Sequence, residues 1–124
     1  ALAQAIKNLV SNALEASAPA GPVTLRVSQA AGELAFAVED QGPGMPAEVL
    51  ARATEPFFTT KPRGRGMGLG LFLAQSVAEQ MGGRLELASE PGRGTRAKLV
   101  LPAAATIGRM VATSDAAQAP TNHG

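Results

Sequence analysis

Three groups of residues in this sequence combine side-chain types and spacings that could do chemistry, and the first lies near the start. Asn8, Asn12 and Glu15 recur at i, i+4 and i+7, which places two amides and a carboxylate on one face of a helix. Their oxygens are hard ligands of the kind that Mg²⁺ accepts. The same spacing is typical of a solvated helix face, so the pattern by itself leaves both interpretations open.

The second group is a carboxylate followed by glycines. Asp40 comes at the end of a predicted strand, and the segment Gln41-Gly42-Pro43-Gly44 follows it. The carboxylate can accept a hydrogen bond from a ligand, and a glycine backbone allows the ligand to approach closely. Asp and Gly are also frequent in ordinary turns, so this motif alone predicts either a binding loop or a turn.

The third group is the glycine-rich segment 64–70, which leads directly into an apolar helical pattern. Free backbone N–H groups at a helix N-terminus attract anions, above all phosphate. Lys61, Arg63 and Arg65 add positive charge to the same stretch. The segment lacks the Gly-Lys-Ser/Thr of a Walker A loop, and a long loop rather than a strand precedes it, which excludes a Rossmann fingerprint. A flexible hinge would have a similar composition.

Hydrophobic periodicity predicts the elements that must position these groups. Helices are predicted over 1–17, 47–54 and 69–81, and strands over 23–29, 34–40, 84–90 and 95–102. In the first helix the apolar stripe is Leu2, Ile6, Leu9 and Ala13, widened by Val10 and Leu14, and in the last it is Leu69, Leu73, Val77 and Met81. This order predicts an α+β fold, a two-layer sandwich with helices packed on one face of a mixed β-sheet. A further strand is expected upstream of residue 1.

Composition narrows the function classes. A chain of 124 residues is one domain, and its lack of cysteine excludes disulfides and Cys-ligated zinc. The single histidine, His123, argues against a His-ligated metal site or a Ser–His–Asp triad. A net charge of +1 argues against bulk electrostatic binding to nucleic acid or membrane, and no apolar run is long enough for a membrane span. We expect a domain over 1–102 and a flexible low-complexity tail over 103–124.

The order and spacing of the motifs are more informative than any one of them. The blocks NLVSNALEAS, VEDQGPGMP, EPFFTTK, GRGMGLGLFLAQSVAEQMGG and ASEPGRGTRAKLVLP follow one another along the chain. Together they resemble the N, G1, F and G2 boxes and the closing glycine–threonine turn of the catalytic ATP-binding domain of bacterial two-component sensor histidine kinases. The resemblance covers about residues 4 to 102. It implies the Bergerat ATP-binding sandwich, with ATP and Mg²⁺ as the bound groups.

This resemblance implies roles for individual residues. Asn12 would ligate Mg²⁺, Asn8 would face the phosphates, and Asp40 would accept from the adenine N6 amine. Thr95 would support the adenine site, often through water. The lid cations Lys61, Arg63 and Arg65 would neutralise the β- and γ-phosphates. The full set expected to contact ATP is Asn8, Asn12, Glu15, Asp40, Gly42, Gly44, Met45, Phe58, Thr59, Thr60, Lys61, Gly66, Met67, Gly68, Leu69, Gly70, Leu71 and Thr95.

Two further expectations concern the lid. Phe57 and Phe58 match the F box, which in the family anchors the lid by apolar packing. Residues from about 56 to 68 are expected to form a lid that is disordered without nucleotide, because glycine and proline resist regular structure there. Many family members carry Lys where this chain has Glu15. Glu occurs there in a subgroup resembling nitrogen-regulation kinases, so Glu15 weakens the expectation of a helix cation rather than the resemblance.

The family also implies partners. The phosphate-accepting histidine would lie on a separate dimerisation domain, and the phosphoryl group would then pass to a response regulator. The isolated domain is expected to be monomeric and the parent kinase a homodimer. A cytoplasmic location is expected, with no direct membrane contact by this domain, although the parent kinase could be anchored in the inner membrane.

Two alternative functions compete with the kinase interpretation. ATPases of the same superfamily, and the anti-sigma serine kinases, are expected to carry a general-base Glu one helical turn before the Mg²⁺ asparagine, where this chain has Asn8, whose amide cannot take a proton. A degenerate interaction module without ATP would be expected to lose Asn12, Asp40 or the glycines of the third group. All of these are present, which favours an active nucleotide site.

Overall fold

A computed structural model describes residues 1–17, 21–58, 69–104 and 106–108. In chain order the elements are α1 (Leu2–Ser17), β1 (Thr24–Ala30), β2 (Glu33–Glu39), α2 (Ala47–Leu50), α3 (Gly70–Gln80), β3 (Arg84–Ser89) and β4 (Thr95–Pro102). Each predicted element is therefore observed, with bounds that differ by a few residues from the sequence expectation.

The four strands form one sheet in the order β1-β2-β4-β3, and all three pairings are antiparallel. For these strands the expectation of a mixed sheet is wrong. The turns Ala31–Gly32 and 90–94 join neighbouring strands directly, and connections this short produce only antiparallel pairs. Ala31 and Gly32 have φ of +53° and +78°, the combination of a type I′ turn, whose twist matches that of the strands.

The core lies between one face of this sheet and a layer made by α1 and α3. From the helices it receives mainly small side chains: α1 buries Ala5, Leu9 and Ala13, and α3 buries Ala74 and Ala78. The sheet contributes Leu34, Phe36, Val38, Ala97, Leu99 and Leu101. Because the facing helical residues are mostly alanines, the two helix axes can lie close together. The two-layer α+β sandwich predicted from the sequence is thus observed.

The predicted apolar stripes are correct in part. In α3 the buried pair is Ala74 and Ala78, whereas Leu73, which was expected to face the core, is 43% exposed. In α1 Leu14 is 55% exposed. The helical period was predicted correctly. The most deeply buried face, however, carries the smallest side chains, and alanine contributes little to a hydrophobicity pattern.

The edge strand β1 also departs from the simple pattern. Leu25 and Val27 pair with Val38 and Phe36 of β2 and so lie on the helix-facing side, but they are 45% and 59% exposed. The helix α1 packs on β2 and α3, so the described helices leave the outer strand largely uncovered.

The chain continues in contact with the sheet after β4. The Ala103 N–H donates to the Gly32 carbonyl oxygen at 2.8 Å, and Ala103 and Thr106 are buried. The expected tail over 103–124 otherwise lies outside the described residues, apart from 104, 107 and 108. No helix in the described segments combines the length and the apolar character needed to cross a membrane.

Candidate functional site

Strand register brings three polar side chains together at one end of the sheet. In β2 the even-numbered residues up to Val38 face the helices, and in β4 the odd-numbered residues from Ala97 do so. The same alternation puts Asp40, Thr95 and Ser89 on the helix-facing side. These three residues come from neighbouring strand ends, and we call this part of the molecule the base end of the sheet.

The Asp40 carboxylate is held by the backbone. Its Oδ1 accepts from the Gly42 N–H at 2.9 Å and from the Thr95 N–H at 3.1 Å, and the residue is 8% exposed. The Asp40 N–H donates to the Thr95 carbonyl oxygen, so the two residues are locked together in both directions. Within the described part of the chain no hydrogen bond engages Oδ2. One oxygen therefore fixes the orientation of the carboxylate, and the other can accept from a ligand.

The two glycines after Asp40 occupy positions where a side chain would not fit. A Cβ on Gly42 would lie 2.6 Å from the Ala16 carbonyl oxygen of α1. Gly44 has φ of +72°, and its Cβ would clash with the Glu90 carbonyl oxygen. The loop is thus pressed between the end of α1 and the β3–β4 turn, and only glycine permits this approach.

Ser17 fixes the other side of this loop. It is the last residue of α1 and is 2% exposed, and its Oγ accepts from the Gln41 N–H at 2.8 Å. The C-terminal end of α1 is therefore attached to the residue that follows Asp40.

The asparagines of α1, Asn12 and Asn8, lie about one and a half and two and a half helical turns before this attachment. Asn12 is half-buried, and its amide nitrogen would lie 3.0 Å from a Cβ on Gly70, the first residue of α3. The Asn8 Oδ1 accepts from the Gln4 amide at 3.0 Å. Glu15 is exposed. The structure thus brings the Asn12 side chain to the first residue of α3.

The F box differs from its expected packing. Phe57 is 68% exposed and has φ of +67°, a conformation that is unfavourable for a bulky side chain. Phe58 is half-buried, and the Arg52 guanidinium lies 4.4 Å from its ring centroid. The expected apolar anchoring is therefore not observed for Phe57, and Phe58 makes a cation–π contact instead.

The remaining predicted ATP contacts divide into two groups. Met45 lies in the Gly44 loop, Leu69 precedes α3 as its N-cap, and Leu71 is partly buried against the core. The others lie outside the described residues: Thr59, Thr60, Lys61, Arg63, Arg65, Gly66, Met67 and Gly68.

Sequence reasoning missed Ser89. Its Oγ accepts from the Met45 N–H at 2.8 Å, donates to the Gly94 carbonyl oxygen at 3.0 Å and lies 2.8 Å from Thr95 Oγ1. The β3–β4 hairpin pairs Ser89 with Thr95, which puts the two side chains on one face of the sheet. Ser17 was missed too, since a serine at a helix end carries no distinctive pattern.

A cleft of about 510 Å³ opens at the base end of the sheet. Asp40, Ser89 and Thr95 line it, together with Leu50 of α2 and the charged residues Glu39, Glu90, Arg93 and Arg96. The described residues hold no group of three or more His, Cys, Asp or Glu side chains that could bind a metal ion by themselves. Asn12, whose side-chain amide lies beside the first residue of α3, carries an oxygen of the type that Mg²⁺ accepts.

Residues 1–105 match the family of histidine kinase-, DNA gyrase B- and HSP90-like ATPases. Sensor kinase CckA from Brucella abortus (strain 2308) is 40% identical over 114 residues, covering 80% of this chain and 12% of that protein. Sensor protein kinase FleS from Pseudomonas aeruginosa is 46% identical over 97 residues, covering 78% of this chain and 24% of that protein. The chain thus spans a quarter or less of these curated relatives.

Solved structures show the same likeness. The crystal structure of full-length ShkA in complex with AMPPNP has a TM-score of 0.71 and 33% identity, covering 80% of this chain and 20% of that one. The mycobacterial sensor histidine kinase MprB has a TM-score of 0.69 and 35% identity, covering 80% of this chain and 68% of that one. The fold and these matches all indicate the same family. The chain belongs to the family of histidine kinase-, DNA gyrase B- and HSP90-like ATPases, as the catalytic ATP-binding domain of a sensor histidine kinase.

Proposed function

We propose that this domain binds Mg-ATP and donates the γ-phosphoryl group to a histidine on a separate dimerisation domain, for onward transfer to a response regulator. The observation that carries the proposal is the Asp40 carboxylate, with Oδ1 held by two backbone N–H groups and Oδ2 without a hydrogen bond in the described structure. The relatives named as sensor kinases, and a structural neighbour solved with AMPPNP, support it.

The adenine ring would bind at the base end of the sheet. Its C6 amine is a donor, so it can give a hydrogen to Asp40 Oδ2, whereas guanine presents a carbonyl oxygen at C6. Gly42 and Gly44 allow the loop backbone to lie close to the ring. A charge-assisted hydrogen bond in a buried site discriminates strongly, because the wrong base leaves the carboxylate facing another acceptor.

The phosphates would lie further along α1, toward Asn12 and Asn8. Asn12 is five residues before Ser17, about 7.5 Å along the helix axis at 1.5 Å per residue. That offset runs from the base end toward the first residue of α3, Gly70, where the positive end of the helix dipole favours phosphate. We assign the Asn12 amide oxygen as the protein ligand of Mg²⁺, which would supply positive charge to neutralise the phosphates.

In the transfer step, the bond between the γ-phosphorus and the β,γ-bridging oxygen breaks as a bond to the acceptor imidazole nitrogen forms, and ADP leaves. Such a step depends mainly on positioning and charge neutralisation. We assign Lys61, Arg63 and Arg65 the role of neutralising the negative charge on the phosphoryl group that is transferred. Asn8 cannot act as a general base, so water is disfavoured as the acceptor.

The base site can be tested with a pair of carboxylates, one at each end of β2. Asp40→Asn should weaken Mg-ADP binding by about 2–4 kcal/mol, because an amide N–H would then face the adenine amine. Glu33→Gln changes a carboxylate at the other end of β2, which does not line the cleft, and should leave affinity nearly unchanged. Calorimetry that gave Asp40→Asn the wild-type affinity would contradict the assignment.

The acceptor can be tested by labelling in trans. The chain alone, incubated with radiolabelled ATP and Mg²⁺, should acquire little acid-labile label, and adding the dimerisation domain of the same kinase should produce label on that domain's histidine. An Asn12→Ala variant should lower the rate of this transfer more than it lowers ADP affinity. Robust labelling of the chain itself, lost in His123→Gln, would instead make its own histidine the acceptor.

A further inference from the structure

The Ser89 hydroxyl lies within hydrogen-bond distance of three polar groups. Three polar groups surround its Oγ: the Met45 N–H at 2.8 Å, the Gly94 carbonyl oxygen at 3.0 Å and the Thr95 hydroxyl at 2.8 Å. A serine hydroxyl has one hydrogen and two lone pairs, so three partners use its whole capacity. The direction of each bond is therefore constrained by the other two.

Only one arrangement of hydrogens satisfies all three contacts. The Met45 N–H can only donate, which occupies one lone pair of Ser89 Oγ. The Gly94 carbonyl oxygen can only accept, so the single Ser89 hydrogen must point to it. The Thr95 hydroxyl must then donate its own hydrogen to the remaining lone pair of Ser89. If Ser89 instead donated its hydrogen to Thr95, the Ser89 Oγ and the Gly94 carbonyl oxygen would lie 3.0 Å apart with no hydrogen between them.

This arrangement fixes what Thr95 can offer to a ligand. With its hydrogen directed at Ser89, Thr95 Oγ1 presents only lone pairs to the cleft that it lines with Asp40. Asp40 Oδ2 is an acceptor as well. A ligand atom that meets Thr95 or Asp40 from the cleft must therefore be a donor.

We propose that Ser89 is a specificity-determining residue, which orients the Thr95 hydroxyl so that the base pocket accepts a C6 amine and rejects a C6 carbonyl. The proposal rests on the nucleotide-binding function argued above and deepens it. Ser89 acts through Thr95 and through the position of the Met45 loop, so it is a positioning residue rather than a ligand of the base.

The test compares two nucleotides that differ only at this edge of the ring. Hypoxanthine carries a carbonyl at C6 where adenine carries an amine, so Mg-ADP and Mg-IDP are the probes, and their dissociation constants are measured by calorimetry on the 124-residue chain. Ser89→Ala frees the Thr95 hydroxyl to donate to a carbonyl. The preference for ADP over IDP should then fall about tenfold, through weaker ADP binding and stronger IDP binding. Ser89→Thr keeps the hydroxyl and should restore the preference.

A merely structural role would give a different result. If Ser89→Ala weakened ADP and IDP by the same factor, or left their ratio unchanged, the proposal would be overturned. Ser28→Ala, at an exposed position of β1, is the matched control and should change neither constant. Unfolding temperatures of all variants show whether each retains its fold.

A second measurement needs neither a variant nor a nucleotide. Neutron diffraction from deuterated crystals of the wild-type chain should place the Ser89 deuterium toward the Gly94 oxygen and the Thr95 deuterium toward Ser89. Deuterium on Ser89 directed at Thr95 would overturn the proposed arrangement. Failure of the wild type to bind Mg-ADP would instead overturn the nucleotide function, so the two failures are distinguishable.

Discussion

The two ends of the sheet are built by different means. At the base end, buried polar side chains are satisfied by backbone groups: Asp40 accepts from two N–H groups, and Ser17 accepts from one. At the far end, beside the Ala31–Gly32 turn, Arg84 makes exposed ion pairs with Glu33 and Glu86.

Buried polar atoms at the two ends also differ. Thr106, which follows β4 at the far end, is fully buried, and its Oγ1 has no hydrogen-bond partner in the part of the chain that the structure describes. The base end therefore depends on specific hydrogen bonds that position a site, and the far end depends mainly on packing. Removing a buried hydroxyl should therefore lower the free energy of unfolding at the base end and raise it at the far end.

The largest expected effect concerns the glycines of the β3–β4 turn. Gly94 has φ of +78°, and its Cβ would clash with the Asp40 carbonyl oxygen. Gly94→Ala should lower the free energy of unfolding by about 3 kcal/mol or more, because left-handed strain and a backbone clash add. Gly92 has φ of +81° but no atom within 4 Å of its Cβ, so Gly92→Ala should cost only about 1–2 kcal/mol. Equal losses in urea unfolding would show that the clash relaxes.

The next effect concerns the attachment of α1 to the Asp40 loop. Ser17→Ala removes the acceptor of the Gln41 N–H in a buried setting and should cost about 1–2 kcal/mol of unfolding free energy. Ser11→Ala, at an exposed position of the same helix, should be neutral or slightly stabilising because alanine favours helix. Chemical denaturation measures both. A neutral Ser17→Ala would mean that water replaces the hydroxyl.

At the far end, removing a buried hydroxyl should raise the free energy of unfolding instead of lowering it. Thr106→Val replaces an unpaired buried hydroxyl by a methyl group of similar size and should raise the free energy of unfolding by about 1 kcal/mol. The same denaturation experiment checks it. A destabilised Thr106→Val protein would show that this hydroxyl has a partner in solution, and the contrast between the two ends would then fail.

The smallest effect concerns the exposed ion pairs. The hydrogen bond and positive charge of Arg84 hold the pKa of Glu86 below its ordinary value of 4.5. A carboxyl group with a lowered pKa in the folded state stabilises the fold at any pH above its pKa in the unfolded state. This contribution to the free energy of unfolding is lost as the pH falls through the pKa of the folded state. Unfolding temperature should therefore drop slightly on acidification below about pH 4.5. Glu86→Gln should show a smaller drop, and salt should reduce the difference. An identical acid profile in both proteins would exclude a contribution from this pair.

Local sequence signals were enough for the elements and for the glycine loop after Asp40. Alternation in β2, the helical period of α1 and the glycines after Asp40 are all local, and each predicted its element. The order of the motifs led to the family, which the comparisons confirm. The assignments on Lys61, Arg63 and Arg65 stay predictions.

The errors came from packing. The sequence pattern put Leu73 toward the core, whereas close contact between α1 and α3 selected Ala74 and Ala78. Leu25 and Val27 lie on the helix-facing side of β1 but are exposed, because their strand lies at the sheet edge. Hydrophobicity depends on the residue alone, while burial depends on what packs opposite it.

By itself the sequence determined the element order, the nucleotide-binding motifs and the carboxylate at Asp40, because each is carried by residues close together in the chain. Only the tertiary structure decided that Ser89 and Ser17 belong to the base end, and in which direction the Thr95 hydroxyl must point. Those facts depend on hydrogen bonds between residues up to 44 positions apart, as between Met45 and Ser89. A hydroxyl group takes its role from the donors and acceptors around it, and these are fixed only when the strands and turns have packed.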